Sequence, residues 1–316
     1  MCRTLSLSIA ILASAASAAL AGAYAPGDFL IADFTGDRVG IFDAQMQFKS
    51  YLVTGLDRAT GVDVRRDGTA VVASQATTTG EWGDVRQFSP AGTQLRSFSH
   101  PQFPVDVKFS PSQTILLSTQ QGVVEEHTWS GGFIGTFFEA RLNDPQSLAV
   151  VGATSLWVGE GENDSIRIFD LATRTLQRTV ALDNGQLSAS SMSYSDATGT
   201  VLIADSTTGW IFERIGSGAG TGAFQRVFKP GPRKSPLGGV VRTAAGEVWA
   251  TDNGTGDLLR YQADGTYLGL STLRSWITTP GNIVQVPLVP EPTSAATLAV
   301  LIAAGTRRRR PPTTRP

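Results

Sequence analysis

Residues 29–43 read FLIADFTGDRVGIFD, two short apolar runs around a turn of Asp, Thr and Gly. This strand-turn-strand unit decides the fold because it returns along the chain. Its first half recurs as AVVASQ from Ala70, ILLSTQ from Ile115, LWVGEG from Leu156, VLIADS from Val201 and VWATDN from Val248. Ahead of each of these five stands another apolar segment: GVDV at Gly61, PVDV at Pro104, SLAV at Ser147, SMSY at Ser191 and GGVV at Gly238. A sixth copy, GNIV at Gly281, has nothing of the kind after it, and the spacings from Gly61 onward are 43, 43, 44, 47 and 43. A third segment follows in most units, as in SIRIFD from Ser165 and LLRYQADG from Leu258.

Four short strands in a period of the low forties make one propeller blade. The opening unit lacks a leading strand and the last copy is a leading strand without a blade, so the two complete one another and remove the open edges. The expected fold class is all-β: a six-bladed β-propeller over residues 24–288, its C-terminal strand completing the N-terminal blade. A signal peptide at 1–23 and a segment with a short hydrophobic helix at 289–316 flank it. A solenoid that does not close is the alternative. Composition agrees, since 34 glycines and only 17% charged residues in 316 suit a turn-rich β protein better than a helical bundle. The net charge of -1 excludes a globally basic nucleic-acid binder.

The unit ADFTGDRVGIF from Ala32, with ADSTTGWIF from Ala204 and the looser GEGENDSIRIF from Gly159 and TDNGTGDLLRY from Thr251, resembles the NHL repeat of six-bladed propellers. That resemblance implies the blade architecture and says far less about function.

Both ends carry address signals. Arg3, an uncharged Leu-, Ile- and Ala-rich stretch and small residues at Ala21, Gly22 and Ala23 before Tyr24 follow the order of a secretory signal peptide with its cleavage region. Cys2 is the chain's one cysteine, so the mature protein has no disulfide. At the other end stand Pro290, Glu291 and Pro292, an uncharged run of 14 residues from 293 to 306, then Arg307, Arg308, Arg309 and Arg310. This tripartite order resembles the PEP-CTERM sorting signal of bacterial exported proteins. The resemblance implies an exosortase, a membrane protease-transpeptidase, as processing partner. Four cations after an apolar run halt it with the arginines on the cytoplasmic side. The run is shorter than the roughly 20 residues of a comfortable span, so the expected membrane association is transient. Without both signals the chain loses six arginines and one glutamate, leaving 20 basic and 26 acidic residues, or -6.

The residue closing each second strand is Asp33, Ser74, Thr119, Glu160, Asp205 or Asp252, four carboxylates at one height around the axis. Calcium is the cation such a ring invites. Its oxygens must lie about 2.3–2.6 Å from the ion, whereas neighbouring second strands of a six-fold ring hold their carboxylates roughly 10 Å apart. Asp33, Glu160, Asp205 and Asp252 are therefore read as turn caps in their own blades, and no cofactor is expected. Aligning the leading segments as quoted puts Asp63, Asp106, Ala149, Ser193, Val240 and Ile283 at one level. Asp63 and Asp106 are then the axial polar residues, read as acceptors of backbone amides rather than catalytic groups. His100, before a proline, and His127 are read as surface or turn residues. Trp157 and Trp249 are read as packing; for Trp82 and Trp210, near Gly-rich turns, packing is favoured over exposed platforms. No phosphate loop, nucleophile elbow or zinc-spaced set is present.

The expected function is a non-enzymatic binding or scaffold module at the surface, outer membrane or extracellular matrix of a bacterium. Its ligand is an extracellular protein or polysaccharide, held by loops such as 77–83, 216–222 and 229–236. The alternative is a secreted metal-dependent lactonase or lyase using the axial channel. Such enzymes among six-bladed propellers build their sites from a central cluster of Glu, Asn, Asp or His.

Overall fold

The computed structural model describes residues 23–75, 82–137, 142–162, 164–182, 188–215, 225–228 and 235–288. Within them lie six four-stranded antiparallel sheets and no helix. Four sheets are consecutive in sequence: β4–β7 (Ala59–Val64, Ala70–Ser74, Gly83–Phe88, Gln94–His100), β8–β11 (Pro104–Phe109, Ile115–Thr119, Val123–His127, Phe133–Thr136), β12–β15 (Pro145–Val151, Ser155–Glu160, Ser165–Asp170, Leu176–Ala181) and β16–β19 (Ala189–Ser195, Thr200–Asp205, Ile211–Ile215, Gln225–Phe228). So is the fifth, β20–β23 (Leu237–Arg242, Val248–Asp252, Asp257–Tyr261, Tyr267–Thr272). The sixth joins the chain's two ends: β24 (Pro280–Gln285) pairs with β1 (Phe29–Asp33), which continues to β2 (Arg38–Phe42) and β3 (Phe48–Thr54). Numbering blades from this joint one, each first strand packs beside the first strand of the next blade, and β24 lies between β20 and β4. The protein is an all-β six-bladed propeller.

Burial explains why the second strands read as unbroken apolar runs. All five residues of β1 are buried, because both faces of the sheet pack against a neighbouring blade. Leu30 and Ala32 point to Val62, Ala70 and Val72 of blade 2, while Phe29 and Ile31 point to Trp249 and Leu258 of blade 6. Similar clusters fill the other four interfaces between blades. The outer strands face solvent, and β7, β11 and β23 are exposed along most of their length.

Each first strand carries a bulge just after its opening residue, as between Ala59 and Gly61 or Pro104 and Asp106. Strand pairing fixes which residues are equivalent. Val62, Val107, Leu148, Met192, Val240 and Ile283 face the middle of their second strands. The true spacings from Val62 are thus 45, 41, 44, 48 and 43. This corrects the axial alignment: Asp63 is equivalent to Lys108, not to Asp106, and Asp106 shares its level with Gly61, Ser147, Ser191, Gly239 and Asn282. The likeness of GVDV to PVDV is local, whereas the ladder sets register. Three of the six opening positions are proline, at Pro104, Pro145 and Pro280, where a missing N–H is tolerated.

The signal-peptide residues before Ala23 and the segment 289–316, with Pro290, Glu291, Pro292 and Arg307 to Arg310, lie outside the described residues. Among the described residues no helix is long and apolar enough to cross a membrane. Tyr24 is buried against blade 2, and its hydroxyl donates to the Gly68 carbonyl at 2.8 Å.

Candidate functional site

The face on which the first strands begin, here the upper face, is stitched by one repeated bond. The residue after each second strand donates its N–H to a carbonyl just ahead of that blade's first strand. The pairs are Phe34 to Thr279, Gln75 to Arg58, Gln120 to Phe103, Gly161 to Asp144, Ser206 to Ser188 and Asn253 to Pro236, at 2.8–3.2 Å.

The four aligned carboxylates lie beside these stitches. Asp33 accepts the N–H groups of Gly36 in its own turn and of Thr278 and Thr279 ahead of β24, and pairs with Arg38. Glu160 accepts from Asn143 N–H at 2.9 Å and pairs with Arg167. Asp205 accepts from the N–H groups of Ser188, Thr207 and Thr208. Asp252 accepts from Thr255 N–H and the Ser235 hydroxyl. Each therefore ties its turn or third strand to the segment entering the blade, and the charge is balanced by several donors within one blade.

On the axis, the polar groups crowd one sector. Asp106 Oδ2 accepts the Leu148 N–H of blade 4 at 2.9 Å, and Asp63 Oδ2 accepts the Phe109 N–H of blade 3 at 2.8 Å. The Asp106 Oδ1 takes the Val107 N–H at 2.8 Å and, at 3.3 Å, both Lys108 Nζ and Asn282 Nδ2. Asn282 reaches it across β4, where Gly61 leaves the space. A Cβ there would stand 2.9 Å from Asp106 Oδ1 and 2.8 Å from the Val107 nitrogen. Burial pushes the carboxyls of Asp63 and Asp106 up, and the Lys108 ammonium opposes it. Lys108 is thus the resident cation of this sector. Ala149 and Val241 occupy the same level as Lys108 on other blades and are buried.

Two exposed tryptophans stand on chain segments at the upper face. Trp82, immediately ahead of β6, is 61% exposed, which corrects the packing reading for this residue. Trp210, by contrast, packs partly buried between blades 4 and 5. Trp276, ahead of β24, is 44% exposed and stacks on Phe48 at 4.3 Å and 5°. The Arg38 guanidinium lies 4.7 Å over the adjacent Tyr51 ring. Of the loops expected to carry specificity, 216–222 lies outside the described residues and 77–83 and 229–236 largely do.

A buried polar cluster between blades 2 and 3 departs from the sequence reading. His100, at the end of β7, and His127, at the end of β10, are each 4% exposed rather than turn or surface residues. Their Nε2 atoms lie 2.8 and 2.9 Å from the same oxygen, Oε2 of Glu125. Glu125 and His127 are two apart on one strand, so they share a face. Burial acts to raise the Glu125 carboxyl, but the hydrogen bonds and charges of the two imidazoles outweigh it and hold it down to about 2. Phe98 stacks on His127 at 5.5 Å and Phe133 meets it edge-on at 5.8 Å. The local clue was the Glu-x-His pair in β10; its third member comes from another blade.

No protein-family model matches the sequence, and no curated protein matches it. Solved structures do resemble the fold. A nidogen/laminin complex matches at 13% identity with a TM-score of 0.66, over 83% of this chain and 99% of that one. The Swd1 β-propeller domain of Myceliophteria thermophila matches at 13% identity and TM-score 0.59, over 82% and 89%. The hydrazine synthase of Kuenenia stuttgartiensis matches at 12% identity and TM-score 0.58, over 75% and 74%. At such identities these likenesses establish the propeller and nothing finer.

Proposed function

We propose that the chain is an exported, non-enzymatic binding module that holds an extracellular polysaccharide against its upper face. One observation carries the reading: Trp82 and Trp276, two of the largest exposed apolar side chains, are both borne by segments at the upper face, just ahead of β6 and of β24. An indole presents a flat apolar surface with a polar edge, which suits the face of a sugar ring. The paired stacking of Trp276 on Phe48 holds one such platform in place. The axial carboxylates support the reading by being engaged already, with backbone amides, Asn282 and Lys108. A lactonase or lyase would need those oxygens free for a metal or a substrate.

The address signals complete the proposal. The N-terminal signal peptide exports the chain, and the Pro290-Glu291-Pro292 motif, apolar run and Arg307 to Arg310 route it through an exosortase to the bacterial cell surface, outer membrane or matrix. Membrane association through the tail is transient. No nucleic acid and no cofactor enter this role.

A glycan-array screen of the mature propeller, repeated with Trp82→Ala and Trp276→Ala, tests it. Binding to a polysaccharide that falls at least tenfold in one variant, with unchanged folding, is expected. Binding confined to protein ligands, or polysaccharide binding indifferent to both substitutions, contradicts it.

A further inference from the structure

We propose that His100, Glu125 and His127 form a binding site for one divalent transition-metal ion, zinc by the chemistry of its donors, clamping blade 2 to blade 3. The chain contains two histidines in all, and both converge on one carboxylate oxygen. Nitrogen, nitrogen and oxygen ligand atoms lie within 4.8 Å of one another, and all three residues are buried. Two imidazoles and a carboxylate are a donor set that zinc accepts.

The surroundings of Glu125 set it apart from the other buried acids. Other buried acids have a fixed positive partner, as Asp33 has Arg38, Glu160 has Arg167 and Glu126 has Arg174, or accept backbone N–H groups, as Asp205 and Asp252 do. Among the described residues Glu125 has neither, and its side chain is met only by the two imidazoles. Its partners are thus two groups that are themselves metal ligands, and one ion can be shared by all three.

The tautomers agree for one ligand and adjust for the other. His127 Nδ1 lies 3.3 Å from the Gly131 carbonyl, to which it can only donate. A neutral His127 then turns an unprotonated Nε2 toward the carboxylate, which is a metal-ligating tautomer fixed by a second hydrogen bond. His100 Nδ1 accepts the Gln102 N–H at 3.3 Å, a long contact that is released when Nε2 binds the ion and the proton moves to Nδ1. Tetrahedral zinc spaces its ligand atoms about 3.3 Å apart, so the two Nε2 to Oε2 distances of 2.8 and 2.9 Å open slightly as the ion enters. The rings of Phe98 and Phe133 supply an apolar shell.

The test uses the full chain, purified without a histidine tag and stripped with chelator. Expected on adding zinc chloride is uptake of one equivalent, with shifts in the nitrogen resonances of both histidine rings. A rise in thermal midpoint that calcium and magnesium do not produce should accompany it. Glu125→Gln and His100→Gln should weaken zinc binding at least tenfold while retaining the β-sheet spectrum. Should neither variant fold, cobalt titration of the unaltered chain decides: tetrahedral visible bands support the site and an aquo-ion spectrum overturns it. Histidine rings that ignore zinc, or variants that bind it as tightly as the parent, also overturn the proposal.

Discussion

Asp33 and Thr279 lie 246 residues apart in sequence, yet the Asp33 Oδ1 accepts the Thr279 N–H at 2.8 Å. The neighbouring Thr278 N–H reaches Oδ2 at 2.9 Å, so one carboxylate holds the chain in position as it turns into the closing strand β24.

Asp33→Ala should therefore be among the more costly single polar deletions in the protein. It leaves the N–H groups of Gly36, Thr278 and Thr279 without their acceptor and strips Arg38 of its partner. Hydrogen bonds to a charged group contribute about 1.5–3 kcal/mol, and with Asp33 itself buried a loss of about 3 kcal/mol in urea unfolding is expected. Asp264, exposed and capping one hairpin turn through the Thr266 N–H, provides the comparison. Asp264→Ala should leave the urea midpoint close to that of the parent, as surface changes do. Equal losses in the two variants would refute the clasp role.

Gly61→Ala probes the axial close approach. The new Cβ meets the backbone nitrogen of Val107 and the Cα and Oδ1 of Asp106, all within 3 Å, so Asp106 must move and its contact with Asn282 must break. Overpacking of this kind costs about 1–3 kcal/mol. Ser193→Ala, on another first strand, should stay within about 0.5 kcal/mol. An unaltered denaturant midpoint for Gly61→Ala would mean that the blades do not approach as described.

The axial acids also set a pH dependence. The Asp63 carboxyl is pushed above its ordinary value of 3.8 by burial, with Lys108 opposing, so the folded form holds its proton when the unfolded form has released it. Stability is then lost as pH rises from 3.8 through the folded pKa. Asp63→Asn removes that loss and keeps an oxygen for the Phe109 N–H. Its stability relative to the parent should rise as the pH is raised above 3.8. A constant or falling difference would show that the carboxylate is stabilised, not penalised, by its place on the axis.

The blade ring was legible because both faces of every second strand are buried, which writes five- or six-residue apolar runs into the sequence at a nearly even period. Closure was legible because GNIV at Gly281 had no partner downstream. Register was not. PVDV imitates GVDV, and the bulge after the opening residue shifts the pairing in a way that apolar pattern alone does not reveal; the prolines at 104, 145 and 280 were the better markers. His100, Glu125 and His127 escaped for a topological reason. The outermost strand of one blade meets the third strand of the next only in the folded ring, so no spacing rule joins them. The exposure of Trp82 escaped because an indole beside a glycine turn reads alike whether it packs inward or outward.

Pairing of β24 with β1 carries the whole account, and truncation reads it directly. A chain ending at Thr279 should lose the single cooperative thermal transition of the chain ending at Leu288, and a peptide of residues 280–288 added in excess should restore it. A truncated chain that melts as sharply and at the same temperature as the longer one would contradict the closed ring.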